Sequence, residues 1–233
     1  MPDTRLAVIV GANRGLGLGL TGELLSRGYE VIATARDLAK AQALEKLAKQ
    51  FGDRLRRMRL DLNDQGLADA FAGQVGHAKL DLLFLNAGVA GPADRTAQDV
   101  TIAETGALFY TNAVAPVRLA RTLMDRMREP DAVIAFMTSI MGSVALNTEG
   151  GAELYRASKA ALNSLTRSFA AGLRGRPIAV LSFHPGWVRT DMGGEHAPLD
   201  VETSVRGIAD VLERERGRPG HRFLDYTGHE LPW

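Results

Sequence analysis

A tyrosine and a lysine four residues apart are the side chains of this sequence best suited to exchange a proton. Tyr155 and Lys159 occur in the run Tyr-Arg-Ala-Ser-Lys, and Ser139 lies sixteen residues before the tyrosine. Residues at i and i+4 share one face of a helix, which would hold the ammonium beside the phenol. At about 4 Å and an effective dielectric near 20, such a charge contributes roughly 4 kcal/mol, or about three pKa units. We therefore expect Lys159 to lower the pKa of Tyr155 far enough for proton exchange near neutral pH.

A glycine-rich turn near the start of the chain predicts a nucleotide site. The apolar run Leu6–Val10 is typical of a buried strand, and Gly11, Gly15 and Gly17 follow it. Helical spacing begins next, over residues 20–27. Glycines let a diphosphate approach the backbone closely, and the helix N-terminus supplies N–H donors and the positive end of its dipole. This order of strand, turn and helix favours nucleotide binding over a simple loop.

Alternating strand and helix patterns predict the fold. Strand-like runs occur near residues 5–11, 29–35, 55–60, 80–86, 131–138 and 177–183, with a weaker one near 222–225. Helix-like stretches fall near 16–27, 37–50, 64–76, 105–128, 153–173 and 200–215. Strict alternation favours parallel strands with right-handed crossovers. We predict an α/β fold: a Rossmann-type doubly wound parallel sheet of about seven strands with helices on both faces. It forms a single domain over 1–233, with a cofactor half at about 1–130 and a catalytic and substrate half at about 131–233.

Seven short motifs occur in an order that resembles the short-chain dehydrogenase/reductase family of the compact single-domain type. They are Gly11-x-x-x-Gly15-x-Gly17, Asp61-Leu62, Asn86-Ala87-Gly88, Asn112, Ser139, Tyr155-x-x-x-Lys159 and Pro185-Gly186 with Thr190. A Tyr-x-x-x-Lys pair alone also arises by chance on a solvated helix face, but seven motifs in order are specific. The Pro-Gly-Trp-Val-Arg-Thr-Asp-Met run and the closing Leu-Pro-Trp are similar to the C-factor and sniffer-type carbonyl reductases.

The resemblance implies an oxidoreductase that transfers a hydride between a nicotinamide and a carbonyl or hydroxyl group. It implies that Tyr155 is the general acid or base and that Ser139 holds the reacting oxygen. Lys159 would also bind the nicotinamide ribose, and Asn112 would anchor a relay water near it. On residue type alone, Ser139 could equally cap a strand end, and Asn112 could mark a kink within a helix.

The resemblance also implies the remaining cofactor contacts. Asp61 would bind the adenine amino group, with the alternative that it caps the following helix. Asn86 would end the fourth strand beside a ribose, with the alternative of a simple turn. The implied cofactor-binding residues are Gly11, Asn13, Arg14, Gly15, Leu16, Gly17, Arg36, Asp61, Leu62, Asn86, Ala87, Gly88, Tyr155, Lys159, Pro185, Gly186, Val188 and Thr190.

The end of the second strand bears on the choice of cofactor. Ala35 stands where an NAD-preferring relative would carry an acid, and Arg36 follows at once. Arg14 lies inside the glycine turn, and two guanidiniums aimed at one pocket would suit a 2′-phosphate. We predict NADP(H) as the preferred cofactor, with NAD(H) as the alternative. Arg36 could instead cap the strand, or Asp37 could partly neutralise it.

Composition and charge argue against other classes of protein. The 233 residues suit one well-filled α/β domain, and the net charge of +1 provides no basic field for nucleic acid or an anionic membrane. No apolar stretch approaches the ~20 residues that span a bilayer.

The chain has no cysteine, and its five histidines show no metal-ligand spacing, so we expect no metal. The first residues leave no room for a signal peptide, and we expect a cytoplasmic protein.

The partners are expected to be a small carbonyl or alcohol substrate and further copies of the chain. Small residues mark the predicted helices near 105–128 and 153–173. In the resembling family these helices build a subunit interface, which implies a homodimer or homotetramer.

The substrate side is predicted from two segments. The short loop at 191–198 and the stretch at 140–154, with Met141 and Leu146 as apolar contributors, should form walls of an open site. Two rival functions remain: an NAD-dependent alcohol dehydrogenase, and a C-factor-like signalling or nucleotide-binding module without turnover.

Overall fold

Seven parallel strands form one sheet in the computed structural model, which describes residues 4–92, 95–173 and 175–233. Residues 1–3, at which the predicted domain begins, lie outside the described residues. The strands are β1 (Leu6–Val10), β2 (Glu30–Ala35), β3 (Leu55–Arg59), β4 (Leu82–Leu85), β5 (Val133–Met137), β6 (Ala179–His184) and β7 (Gly220–Asp225). Their order across the sheet is β3-β2-β1-β4-β5-β6-β7. The predicted doubly wound parallel sheet is therefore confirmed.

Helices cover both faces of this sheet. They are α1 (Gly15–Ser26), α2 (Gln42–Phe51), α3 (Gln65–Val75), α4 (Ile102–Phe109), α5 (Ala115–Leu123), α6 (Glu153–Ala171) and α7 (Val201–Glu215). Buried residues of α1, α2 and α7 pack with one set of strand side chains, and those of α3, α5 and α6 pack with the other. Successive strand residues point to opposite faces, so a sheet covered twice needs strands that are apolar throughout. In β1, Ala7 and Ile9 belong to the first layer, and Val8 and Val10 to the second.

Two helix boundaries differ from the prediction for local reasons. The helix predicted from residue 37 begins at Gln42, because the Asp37 carboxylate accepts a hydrogen bond from the Ala39 N–H at 3.0 Å. Such a side-chain turn competes with helix formation. The helix predicted from residue 105 begins earlier, at Ile102, where Thr101 and Glu104 form a capping box. A π-helical turn over residues 110–114 then joins α4 to α5.

The chain places β2 and β3 on one side of β1 and then crosses over to place β4 on its other side. The strand order therefore reverses between β1 and β4, which pair with each other. In open α/β sheets, ligands bind in the crevice beyond the carboxyl ends of the strands at such a reversal. The glycine turn after β1 and the segments after β4, β5 and β6 all lie at that edge. No helix of the described ranges is long and apolar enough to cross a membrane.

Candidate active site

A cavity of about 490 Å³ lies at the carboxyl edge of the sheet. Most of the residues proposed from the sequence line it: Gly11, Asn13, Arg14, Gly15, Leu16, Arg36, Asp61, Leu62, Asn86, Ala87, Gly88, Tyr155, Lys159, Pro185 and Thr190. Five of them do not line it, namely Gly17, Asn112, Ser139, Gly186 and Val188. The sequence did not single out several further lining residues, among them Asn63, Thr111, Thr138, Asp191 and Met192.

The glycine turn has the shape that its composition requires. Gly11 and Gly15 have φ angles of 82° and 53°, in the left-handed region that favours glycine. A Cβ on Gly17 would lie 2.1 Å from the Gly11 carbonyl oxygen and 2.6 Å from the Asn86 amide nitrogen. That amide donates to the same Gly11 oxygen at 2.7 Å. Gly17 thus lets α1 pack on the turn, and Asn86 braces the turn from β4.

Tyr155 and Lys159 line the other end of the cavity, and Ser139 lies beside it within hydrogen-bond reach of Tyr155. Ser139 follows β5 and is 8% exposed, and Lys159 on α6 is 3% exposed. The Lys159 ammonium donates to the Met137 carbonyl at 3.0 Å and lies 5.7 Å from the centre of the Tyr155 ring. Because both residues lie on α6, four positions apart, they reach the end of β5 from the same helix face.

The pKa shifts of this group differ from the expectation. Burial raises the pKa of Tyr155, and a side-chain hydrogen bond with Ser139 offsets part of that rise. Burial also lowers the pKa of Lys159, from 10.5 to about 8. The pKa of Tyr155 is therefore raised rather than lowered toward neutrality, contrary to the expectation. The ammonium is directed to the Met137 carbonyl, and desolvation of the phenol is the larger effect.

Asn112 lies in the π-helical turn and is fully buried. Its side-chain oxygen accepts from the Val89 N–H at 2.8 Å, and its amide donates to the Val89 carbonyl at 2.8 Å and to the Ser158 hydroxyl at 3.0 Å. A Cβ on Gly88 would lie 3.3 Å from both the Asn112 oxygen and the Lys159 nitrogen. Asn112 therefore fixes the segment after β4 against α6, next to Lys159. Its role in a proton relay stays a prediction.

The two arginines predicted to bind a phosphate differ in their ion pairs. Arg14 forms an ion pair with Asp191, and both side chains are well exposed, at 69% and 72%. Among the described residues, no carboxylate lies within 4.0 Å of the Arg36 guanidinium, which lines the same cavity. Asp37 pairs with Lys40 at 3.7 Å rather than with Arg36.

Asp61 lies on the cavity and does not cap a helix. Its carboxylate accepts from the Asn63 N–H at 3.0 Å, while Asp64 caps α3 by accepting from the Leu67 N–H. The alternative of Asp61 as a helix cap is therefore wrong, and its carboxylate lies just after β3 at the cavity. Its contact with adenine stays a prediction.

The loop after β6 folds over the cavity. The Trp187 indole donates to the Gly193 carbonyl at 2.7 Å, and the Thr190 hydroxyl accepts from the Gly193 N–H at 3.1 Å. These bonds curl the loop so that the Met192 sulfur lies 4.0 Å from the Tyr155 hydroxyl. Met192 is 53% exposed, and no local pattern in the sequence marks it as a neighbour of Tyr155.

The second predicted wall is placed differently. Met141 and Leu146 do not line the cavity, although they follow Ser139 closely in the chain. Ile140–Gly142 forms a short 3₁₀ turn, in which the Ser139 hydroxyl accepts from the Met141 N–H at 3.1 Å.

Comparisons with known proteins agree with this architecture. The strand order and the glycine turn define the doubly wound class of α/β proteins. The chain belongs to the short-chain dehydrogenase family, whose model, described as short chain dehydrogenase, matches residues 5–198. It is therefore an oxidoreductase of that family.

Three relatives illustrate the similarity. C-signal of Myxococcus xanthus is 42% identical over 165 residues, which are 70% of this chain and 99% of C-signal. A carbonyl reductase from Pseudomonas aeruginosa PAO1, crystallised in complex with NADP, is 43% identical with a TM-score of 0.93. The carbonyl reductase Sniffer of D. melanogaster is 34% identical with a TM-score of 0.88. Each structural match covers 99% of this chain and 100% of the other. The resemblance to the C-factor and sniffer-type group is thereby confirmed.

Proposed function

We propose that this protein is an NADP(H)-dependent carbonyl reductase that acts on small carbonyl substrates, with Tyr155 as general acid. One observation carries the proposal: Tyr155, hydrogen-bonded to Ser139, and the buried Lys159 line the same cavity as Arg36. The similarity to a carbonyl reductase in complex with NADP supports it.

The residues around the cavity fit a dinucleotide. Gly11 and Gly15 turn the backbone through positive φ angles just before α1, whose first turn carries no acidic residue. The free N–H groups and the helix dipole there would face a diphosphate. Asp61 would contact the adenine, and Thr190 with the backbone of Val188 would hold the carboxamide.

Arg36 supports a preference for NADP(H). It follows Ala35 directly, so β2 ends in alanine and is followed at once by a cation, while the next residue, Asp37, pairs with Lys40. Arginine binds phosphate through two parallel hydrogen bonds, which suits the 2′-phosphate that distinguishes NADP from NAD. Arg14 would contribute less, because it is engaged with Asp191.

When bound, a reduced nicotinamide supplies the hydride. Tyr155 donates its proton to the carbonyl oxygen, and the raised pKa keeps the phenol protonated at neutral pH, which is the form of an acid. The Ser139 hydroxyl holds the same oxygen by a hydrogen bond that strengthens as negative charge develops. Lys159 then stabilises the phenolate left behind, because its pKa of about 8 keeps it mostly protonated at pH 7. Asn112 would anchor the water through which the phenol regains its proton.

The proposal is tested by following NADPH and NADH consumption with a panel of aldehydes, ketones and diketones. We expect turnover with NADPH, and Tyr155→Phe should lower kcat by about 10²–10⁴-fold while NADPH still binds. Arg36→Ala should weaken NADPH binding by about tenfold or more and leave NADH unaffected. Equal turnover by wild type and Tyr155→Phe would contradict the role of the tyrosine, and equal use of both cofactors would contradict the role of Arg36.

The likeness to C-signal favours a second candidate, a cofactor-binding module without physiological turnover. Such a protein would bind NADPH tightly, and neither wild type nor Tyr155→Phe would reduce any member of the panel. The buried Lys159 beside Tyr155 favours the enzyme, because a binding module has no need of an ammonium buried beside a phenol.

A further inference from the structure

The last eight residues of the sequence fold back along β7. Residues Leu224 and Glu230 form an antiparallel bridge, and the Leu231 N–H donates to the Phe223 carbonyl at 2.8 Å. This return places Trp233 against the edge strand of the sheet. The Leu-Pro-Trp run that ends the sequence thus has a defined place in the fold, although it does not line the cavity.

The Trp233 indole is held on three sides. Its ring centre lies 4.6 Å from that of His221 and 5.2 Å from that of Phe223, both on β7. The Arg167 guanidinium, from α6, lies 4.5 Å from the ring centre. Aromatic pairs and cation–π contacts at these distances each add to the burial of the ring. Trp233 therefore joins β7 to the helix that carries Tyr155 and Lys159.

Trp233 also contacts the chain just beyond Ser139. We refer to residues 139–146 as the serine segment. The Ala145 N–H donates to the Trp233 main-chain oxygen at 3.1 Å. At its other anchor, the Gly142 carbonyl accepts from the Asn163 amide at 3.2 Å, and a Cβ on Gly142 would lie 2.8 Å from the Lys159 backbone. The serine segment is thus held by α6 on one side and by Trp233 on the other.

A chain of polar side chains, buried at Ser182 and Thr166, connects these two anchors. The His221 ring lies 3.1 Å from the Ser182 hydroxyl, which lies 3.3 Å from the Thr166 hydroxyl. Thr166 in turn donates to the Asn163 carbonyl at 2.9 Å. Movement of the Trp233 ring would therefore disturb both anchors of the serine segment.

We propose that Trp233 is a positioning residue of the active site, which holds the serine segment so that the Ser139 hydroxyl stays aligned with Tyr155. The inference rests on the proposed function of these two residues. Trp233 itself does not line the cavity. The ring contacts hold the Trp233 main chain in place, so that its oxygen accepts from the Ala145 N–H, and they reach α6 through Arg167.

The experiment compares Trp233→Ala, Trp233→Phe and Leu231→Ala with wild type, well below their unfolding temperatures. Leu231 is the matched control, because it lies two residues before Trp233 on the same returning segment, and Leu231→Ala keeps the main-chain bond to Phe223. Trp233→Ala should lower kcat by about tenfold or more while NADPH binding changes less than twofold, since small misplacements in an active site reduce rate strongly. Trp233→Phe should restore most of the rate, and Leu231→Ala should leave it unchanged.

The pH profile separates positioning from simple loss of stability. The hydrogen bond with Ser139 lowers the pKa of Tyr155, so a displaced serine should move the alkaline limb of kcat to higher pH in Trp233→Ala only. The proposal would be overturned if folded Trp233→Ala kept the kcat and the alkaline limb of the kcat–pH profile of wild type. It would also be overturned if Leu231→Ala lost as much kcat as Trp233→Ala.

Hydrogen exchange tests the anchor without turnover. In Trp233→Ala, and not in Leu231→Ala, peptides covering 139–146 should exchange faster. If the wild type reduced none of the carbonyl substrates, the proposed function would fail. Faster exchange of the serine segment in Trp233→Ala would still show that Trp233 holds this segment. Unchanged exchange would refute the anchor even in an active enzyme.

Discussion

The two ends of the cavity are held in shape by different means. At the cofactor end, backbone atoms approach so closely that a single Cβ at Gly17 would overlap the Gly11 carbonyl. At the reacting end, the shape depends on buried polar side chains, with Lys159 enclosed behind Tyr155. A substitution at the first end should therefore act on the fold, and one at the second should act on charge and proton transfer.

The strongest test of the cofactor end is Gly17→Ala. A Cβ there would lie 2.1 Å from a backbone oxygen that cannot rotate away, so the turn or the helix must shift. We expect a loss of about 3 kcal/mol in the free energy of unfolding and weaker NADPH binding, measured by urea denaturation and fluorescence titration.

Gly22→Ala is the matched control on the same helix. The nearest atom to its Cβ would be Leu47 Cδ1 at 3.7 Å, an ordinary contact. Because alanine favours a helix interior, stability should be unchanged or higher by about 0.5–1 kcal/mol. If both variants lost stability equally, the close approach at Gly17 would not be what shapes the cofactor end.

At the reacting end, Lys159→Met should stabilise the protein while abolishing most of its activity. A lysine whose pKa falls from 10.5 to about 8 carries a penalty on the order of 3 kcal/mol in its charged form. The bond to the Met137 carbonyl is lost in the variant, so the net gain at pH 7 should be nearer to about 2 kcal/mol.

The sign of the pH dependence follows from the direction of this shift. Between about pH 8 and 10.5 the unfolded chain binds the Lys159 proton more tightly than the folded one, so wild-type stability rises across this window. The advantage of Lys159→Met should shrink over the same range in urea denaturation at pH 7 and pH 10. Lys49→Met, at an exposed lysine of α2, should show no such trend. A constant advantage would mean that Lys159 is not charged and buried as described.

The cofactor end was more predictable than the reacting end. Glycine spacing between a strand and a helix reflects local sterics, so the turn could be predicted from the sequence, and the alternation of strands and helices predicted the parallel sheet. The direction of the Tyr155 pKa shift was not, because it depends on burial by residues distant in the chain. The same holds for Met192, which reaches Tyr155 only through the bonds that curl its loop.

Arg14 and Asp191 join the two ends, and their pair is 177 residues apart in sequence, so no local pattern predicts it. It links the glycine turn to the loop that carries Met192. Because both side chains are exposed, Asp191→Asn should change stability by less than about 1 kcal/mol. This is the smallest effect expected here.

Its functional effect should depend on salt. Loss of the carboxylate frees the Arg14 guanidinium for a phosphate, so Asp191→Asn should bind NADPH a few-fold more tightly at low ionic strength, with the difference fading as salt screens the charges. Glu202→Gln breaks a comparably exposed pair with Arg206 on α7 and should leave binding unchanged. Weaker NADPH binding by Asp191→Asn would instead mean that the pair holds turn and loop together around the cofactor, and that the two ends of the cavity do not act separately.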